Sequence, residues 1–117
     1  MITLDEASPI PPFEQIREQI GDLIRAGELG PGQRLPSIRQ LAGDLRVAAG
    51  TVARAYSELE TAGLIQTSRA TGARVRDGQG LAGDMRRAAM QFVATAQGNS
   101  LSLEDALGAI RSQWRQE

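Results

Sequence analysis

A chain of 117 residues, 41% of them hydrophobic, holds one small domain plus an appendage, and no apolar run reaches membrane-spanning length. It contains no His, no Cys and, because all 13 basic residues are Arg, no Lys. That removes the usual neutral-pH general base, the thiol nucleophile, the Schiff-base amine and the commonest zinc ligands, so neither an enzyme nor a metal or cofactor site is expected.

The net charge of −1 is unevenly spread. Residues 1–32 carry two Arg against six acids, residues 33–76 seven against three, and residues 77–117 four against five. A positive field confined to the middle segment suits a polyanionic partner there. The opening MITLDEASP has neither a basic nor an apolar signal-peptide region, so a cytoplasmic protein without membrane association is expected.

In chain order, Ile2 to Leu4 suggests a short strand and Asp5 to Pro9 a loop. Pro12 suits the first turn of a helix, and Phe13, Ile16, Ile20, Leu23 and Ile24 recur at helical spacing as its core face. Gly27 and the Gly30-Pro31-Gly32 turn end that helix. Gln33 to Leu35 is extended, since Pro36 keeps its predecessor out of the helical region.

Ser37 and Gln40 form an S-x-x-Q capping box that starts a second helix, with Ile38, Leu41, Ala42 and Leu45 as its apolar line. Val47 to Gly50 is too short to be anything but a turn. A third helix runs from about Gly50 to Ala62 and stops at Gly63. Val52, Ala55, Tyr56 and Leu59 share its inner face, while Gly50, Ala53, Arg54 and Ser57 lie opposite. Two short helices joined by about four residues are the architecture that lays a helix in the DNA major groove. Small residues there allow close approach, and Arg suits phosphates and guanine edges.

Leu64 to Thr67 and Ala73 to Arg76 predict two strands, joined through Ser68 to Gly72 as a hairpin. Residues 77–80 read as a linker. Leu81, Met85, Ala88, Ala89, Phe92, Val93 and Ala96 then fall on one side of a helix ending at Gly98-Asn99. Ser102 and Asp105 resemble a capping box, and Leu103, Ala106, Leu107, Ile110 and Trp114 form a last apolar stripe. Two helices in about 40 residues cannot build a self-sufficient core and need a partner surface, either the N-terminal domain or, as expected here, a second copy of the segment. The resulting fold class is mainly α with a small β-hairpin. Domain bounds are 1–76 for DNA binding, 77–80 for the linker and 81–117 for dimerisation, anchored by Leu81, Met85, Phe92, Leu107, Ile110 and Trp114.

The stretch PPFEQIREQIGDLIRAGELGPGQRLPSIRQLA with TVARAYSELETAGLI resembles the DNA-binding domain of GntR-family bacterial transcription regulators. The likeness covers roughly residues 4–76. It rests on the aromatic-x-Gln-Ile opening of the first helix, Gly-x-Leu-x-Pro-Gly, Leu-Pro-Ser-x-Arg, Thr-Val-x-Arg-Ala-Tyr and Leu-Glu-x-x-Gly-Leu-Ile, in the family's order. The resemblance implies a winged helix-turn-helix domain with the hairpin as wing. It carries double-stranded DNA contacts to Ser37, Arg39, Gly50, Thr51, Arg54, Arg69 and Gly72. The short two-helix C-terminus is similar to the YtrA-type subfamily, which implies a homodimeric repressor released by a small-molecule effector. Ala48 and Ala49 depart from the family's Ser or Asn cap, and Ala49 and Ala53 from its commoner polar residues. Specificity is therefore expected to rest on Arg39, Arg54, the wing and DNA shape. The alternative is an architectural or protein-interaction winged helix without a defined operator.

Overall fold

Pro12 opens helix α1 (Pro12–Arg25), where its missing N–H is no loss. The computed structural model describes residues 1–78, 81 and 83–116. They divide into two compact units, Met1–Gly80 and Leu81–Glu117.

In the first unit α1 is followed by α2 (Ile38–Leu45), α3 (Ala49–Thr61), β1 (Ile65–Ser68) and β2 (Gly72–Val75). The core is the meeting of three apolar lines at helical spacing. Ile16, Ile20 and Ile24 of α1 are wholly buried, against Leu41 and Ala42 of α2 and Val52, Ala55, Tyr56 and Leu59 of α3. Leu64, Ile65 and Val75 close it from the hairpin side.

Phe13 departs from the expected core face. It is only half-buried, and its ring carries the Arg54 guanidinium 3.7 Å from the centroid. Gln15 is instead the buried polar residue of α1. Its amide accepts from Asp5 N at 2.8 Å and donates to Asp5 O at 3.0 Å and Ile10 O at 2.8 Å. Gln19 does the same for Thr3, accepting from its N at 3.0 Å and donating to its O at 2.7 Å. Residues 2–4 therefore form no strand: two side-chain amides take the place of a neighbouring strand, and Ile2 and Leu4 pack on the core edge.

The hairpin pairs antiparallel in the register Ile65↔Val75, Gln66↔Arg74, Thr67↔Ala73 and Ser68↔Gly72, so its buried pair sits at the base. Gly63 (φ +79°) turns the chain out of α3, and Gly72 (φ +72°) turns it back at the tip. Residues 33–35 lie beside β2 with one bridge, Arg34↔Arg74, flanked by Val75 N to Gln33 O and Leu35 N to Ala73 O, both 2.9 Å.

The second unit holds α4 (Gly83–Gly98) and α5 (Leu103–Trp114). Leu81 thus precedes α4 rather than lying on it, and Gln79 and Gly80 of the expected linker lie outside the described residues. The Ser102 and Asp105 box closes both ways, with Asp105 N to Ser102 Oγ at 3.1 Å and Ser102 N to Asp105 Oδ2 at 3.2 Å. Among the described residues of this unit only Ala96 and Ala106 are buried.

Candidate nucleic-acid interface

The turn between α2 and α3 fixes how the third helix is presented. Ser37 Oγ accepts from Gln40 N at 3.1 Å and starts α2. Arg46 ends it in the left-handed region (φ 58°), where Val47 N reaches Ala42 O at 3.0 Å. A non-glycine there costs about 1–2 kcal/mol, so the surrounding contacts hold the turn against local preference. The helix begins one residue earlier than the sequence suggests, at Ala49, with Ala48 as a cap whose side chain makes no hydrogen bond.

Tyr56 locks α3 to the start of α2. Its phenol donates to Pro36 O at 2.7 Å, and burial pushes its pKa up to about 12. The inner face is then fully committed. Ala49, Gly50, Arg54 and Ser57 stay exposed, with Thr51 and Ala53 half-buried. Small residues and an open helix N-terminus, with its unpaired N–H groups and positive dipole end, suit close approach to a phosphate-lined groove.

The two flanks of α3 are tied differently. On one, Glu60 Oε2 accepts from Thr67 N at 3.1 Å and Thr67 Oγ1 at 2.7 Å, joining helix to wing. Those two hydrogen bonds hold the Glu60 carboxyl below its usual pKa. On the other, Arg54 Nε lies 3.4 Å from Glu58 Oε2, and Glu58 Oε1 lies 3.3 Å from Arg17 Nε on α1.

The wing and the start of α2 face each other across an open cleft of about 470 Å³, lined by Ser37, Arg39, Tyr56, Thr67, Arg69 and Gly72 among others. The fold thus brings Ser37, Arg39, Arg69 and Gly72 together from sites 35 residues apart in sequence. Gly50 and Thr51 lie on the first turn of α3. Arg54 is drawn instead to the α1 flank, onto Phe13. Arg34 was not among the expected contacts, yet its guanidinium stands beside the wing: a Cβ on Gly72 would lie 3.7 Å from its Nε and Nη2. Its signal was the arginine-rich window alone, since no motif contains it. Arg74 donates to Gly32 O at 3.0 Å and so braces the base of the wing.

The expected dimerisation side chains fall on an apolar surface of the second unit. Met85, Phe92, Ile110 and Trp114 are exposed, as is Leu81, and Leu107 is half-buried. Phe92, Ala109, Ile110, Gln113 and Trp114 line a groove of about 500 Å³. Among the described residues, no helix is long and apolar enough to cross a membrane, and no group of three or more metal-ligating side chains gathers.

Residues 12–75 match the family described as bacterial regulatory proteins, gntR family. The HTH-type transcriptional regulator Rv1152 of Mycobacterium tuberculosis is 42% identical over 106 residues, 91% of this chain and 88% of that protein. The HTH-type transcriptional repressor YtrA of Bacillus subtilis is 43% identical over 72 residues, 62% of this chain and 55% of its own. Among solved structures, the GntR-family transcription factor YtrA from Sulfolobus acidocaldarius superposes with a TM-score of 0.62 at 36% identity, covering 80% of this chain and 97% of that one.

Proposed function

The chain belongs to the GntR family of bacterial regulatory proteins and is a sequence-specific DNA-binding regulator, not an enzyme; from that premise we propose that it is a homodimeric repressor of YtrA type, acting in the cytoplasm on an inverted-repeat operator and released by a small-molecule effector. Residues 1–76 bind DNA, residues 77–80 link, and residues 81–117 pair with a second copy. One observation carries the pairing: Phe92, Ile110 and Trp114 are 38%, 44% and 82% exposed in a unit with no core of its own. Covering such a surface is the main driving force of association, and large aromatics dominate it.

A two-fold pair presents two copies of α3, so each half-site repeats with reversed sense, centred about 10 bp from the other or slightly more. The repressor reading is supported by the likeness to YtrA of Bacillus subtilis, a repressor by name. An effector would bind where pairing closes the Phe92–Trp114 groove, since that is the apolar concavity of the second unit.

Truncation after Asp77 tests the pairing. The shortened chain should sediment as a monomer and bind DNA weakly; a dimer would refute the assignment. Selection from a random duplex pool tests the operator. An inverted repeat is expected, whereas a direct repeat or no enriched sequence would favour an architectural protein.

A further inference from the structure

Glu58 stands on α3 between two guanidinium groups. Its carboxylate oxygens lie 3.3 Å from Arg17 Nε and 3.4 Å from Arg54 Nε. Arg54 is held a second time by the Phe13 ring beneath it. The side chains remain open to solvent, with Arg54 63% exposed and Glu58 40%. The trio therefore sits on the flank where α3 meets α1, beside the exposed face of the helix proposed to enter the groove, where DNA phosphates would come close. A carboxylate shared by two guanidiniums presents the charge and the paired oxygens of a phosphodiester.

We propose that Glu58 is a specificity-determining residue, standing in for a phosphate between Arg17 and Arg54 and so lowering affinity for duplexes of arbitrary sequence. The inference rests on α3 being the groove-facing helix. An incoming phosphate must displace the carboxylate or lie against it, and either cancels much of the gain that two free arginines would give. Affinity then depends on Arg39, the wing and the first turn of α3, which read the duplex by position. Phe13 completes the restraint, because stacking keeps the Arg54 guanidinium beside Glu58.

The test is binding to a random-sequence duplex across a salt series, by wild type and the variants Glu58→Gln, Asp44→Asn, Arg54→Gln, Arg39→Ala and the double variant Glu58→Gln with Arg54→Gln. Gln keeps the shape and removes the charge, and melting curves verify folding. Each phosphate contact steepens the slope of log affinity against log salt by about 0.9, and one or two are expected for Glu58→Gln, with about a 3- to 10-fold gain in affinity near 100 mM salt. Arg54→Gln should cost clearly less in the wild-type background than in the Glu58→Gln background, where it should remove a large part of the gain. Two results would overturn the inference. One is a gain from Asp44→Asn equal to that from Glu58→Gln, which would reduce the effect to net charge. The other is an Arg54→Gln loss equal in both backgrounds, which would mean that Arg54 already holds a phosphate. If Glu58→Gln changes nothing while Arg39→Ala weakens binding, the restraint is wrong and the interface stands; if neither matters, the interface itself is misplaced.

Discussion

The two units bury their apolar side chains in opposite ways. In Met1–Gly80, fourteen hydrophobic residues from the three helices, their connections and the hairpin join one buried cluster. Among the described residues of Leu81–Glu117, two alanines are buried, while Leu103, Met90, Val93 and Trp114 face solvent. Both have amphipathic helices, and the α5 cap is the better formed of the two capped starts. Local signals therefore make helices in both, but only the first has enough layers to cover its own apolar faces. The first unit has a core of its own; the second leaves its apolar faces exposed, as the proposed pairing requires.

Several substitutions would break or sharpen that contrast. Ile20→Ala removes a fully buried side chain from the first unit and should cost about 2–5 kcal/mol of folding stability, read as a lower denaturation midpoint with DNA binding lost in step. The matched change in the second unit, Trp114→Ala, should act on the proposed assembly, weakening the dimer by about 2 kcal/mol in sedimentation equilibrium. If both changes lowered stability independently of protein concentration, the two units would not differ as described.

Tyr56 gives the first unit a pH dependence at the alkaline end. Its phenol ionises near pH 12 in the folded protein against about 10 in an unfolded chain. The Tyr56 contribution is therefore constant below about pH 10 and is lost as pH rises through about 12, by about 2–3 kcal/mol in all. Tyr56→Phe should flatten that alkaline decline while costing about 1 kcal/mol at neutral pH, through the lost bond to Pro36 O. Chemical denaturation at pH 8 and 11 measures both.

Arg39→Ala leaves the core untouched and should weaken operator binding by about 1–3 kcal/mol if the guanidinium reads a base pair. Arg69→Ala should follow with a smaller loss, confined to A·T-rich flanks if the wing enters a narrow minor groove. The smallest effect is expected from Thr67→Val, which unties Glu60 from the wing. Because those bonds hold the Glu60 carboxyl below its ordinary pKa, their contribution is present at neutral pH and fades as pH falls through that lowered value. Wing amide exchange should show this in wild type and not in Thr67→Val.

The sequence made the helices legible because periodicity and caps are local. Ser37, Ser102, Gly63 and the apolar lines of α1, α2 and α3 all lie where their spacing implies. What escaped depends on partners distant in the chain. Phe13 has the spacing of a core residue, but Arg54, forty-one positions on, claims its face. Ile2 to Leu4 alternate like a strand, yet no strand edge is available and glutamine amides take them. For the interface, motif positions pointed to Ser37, Arg39, Arg69 and Gly72, which the fold gathers at one cleft. Arg34 comes beside Gly72 of the wing, and Arg54 lies apart from that cleft, held by a ring and a carboxylate, and no motif encodes either placement.

The amide clasp on the N-terminal residues has a chemical consequence. Gln15 donates one N–H to each of two carbonyls, at Asp5 and Ile10, and Gln19 donates to a third at Thr3. Hydrolysis of either amide to a carboxylate replaces nitrogen by oxygen at those places and turns attraction between donor and carbonyl into repulsion between acceptors. Deamidation of Gln15 would therefore loosen the leading segment at Asp5 and Ile10, and deamidation of Gln19 at Thr3, with little change in side-chain shape. A mass gain of about one dalton, with new protease cutting near Asp5, would mark the event, and an aged preparation would contain two populations with the same α3 and different leading edges.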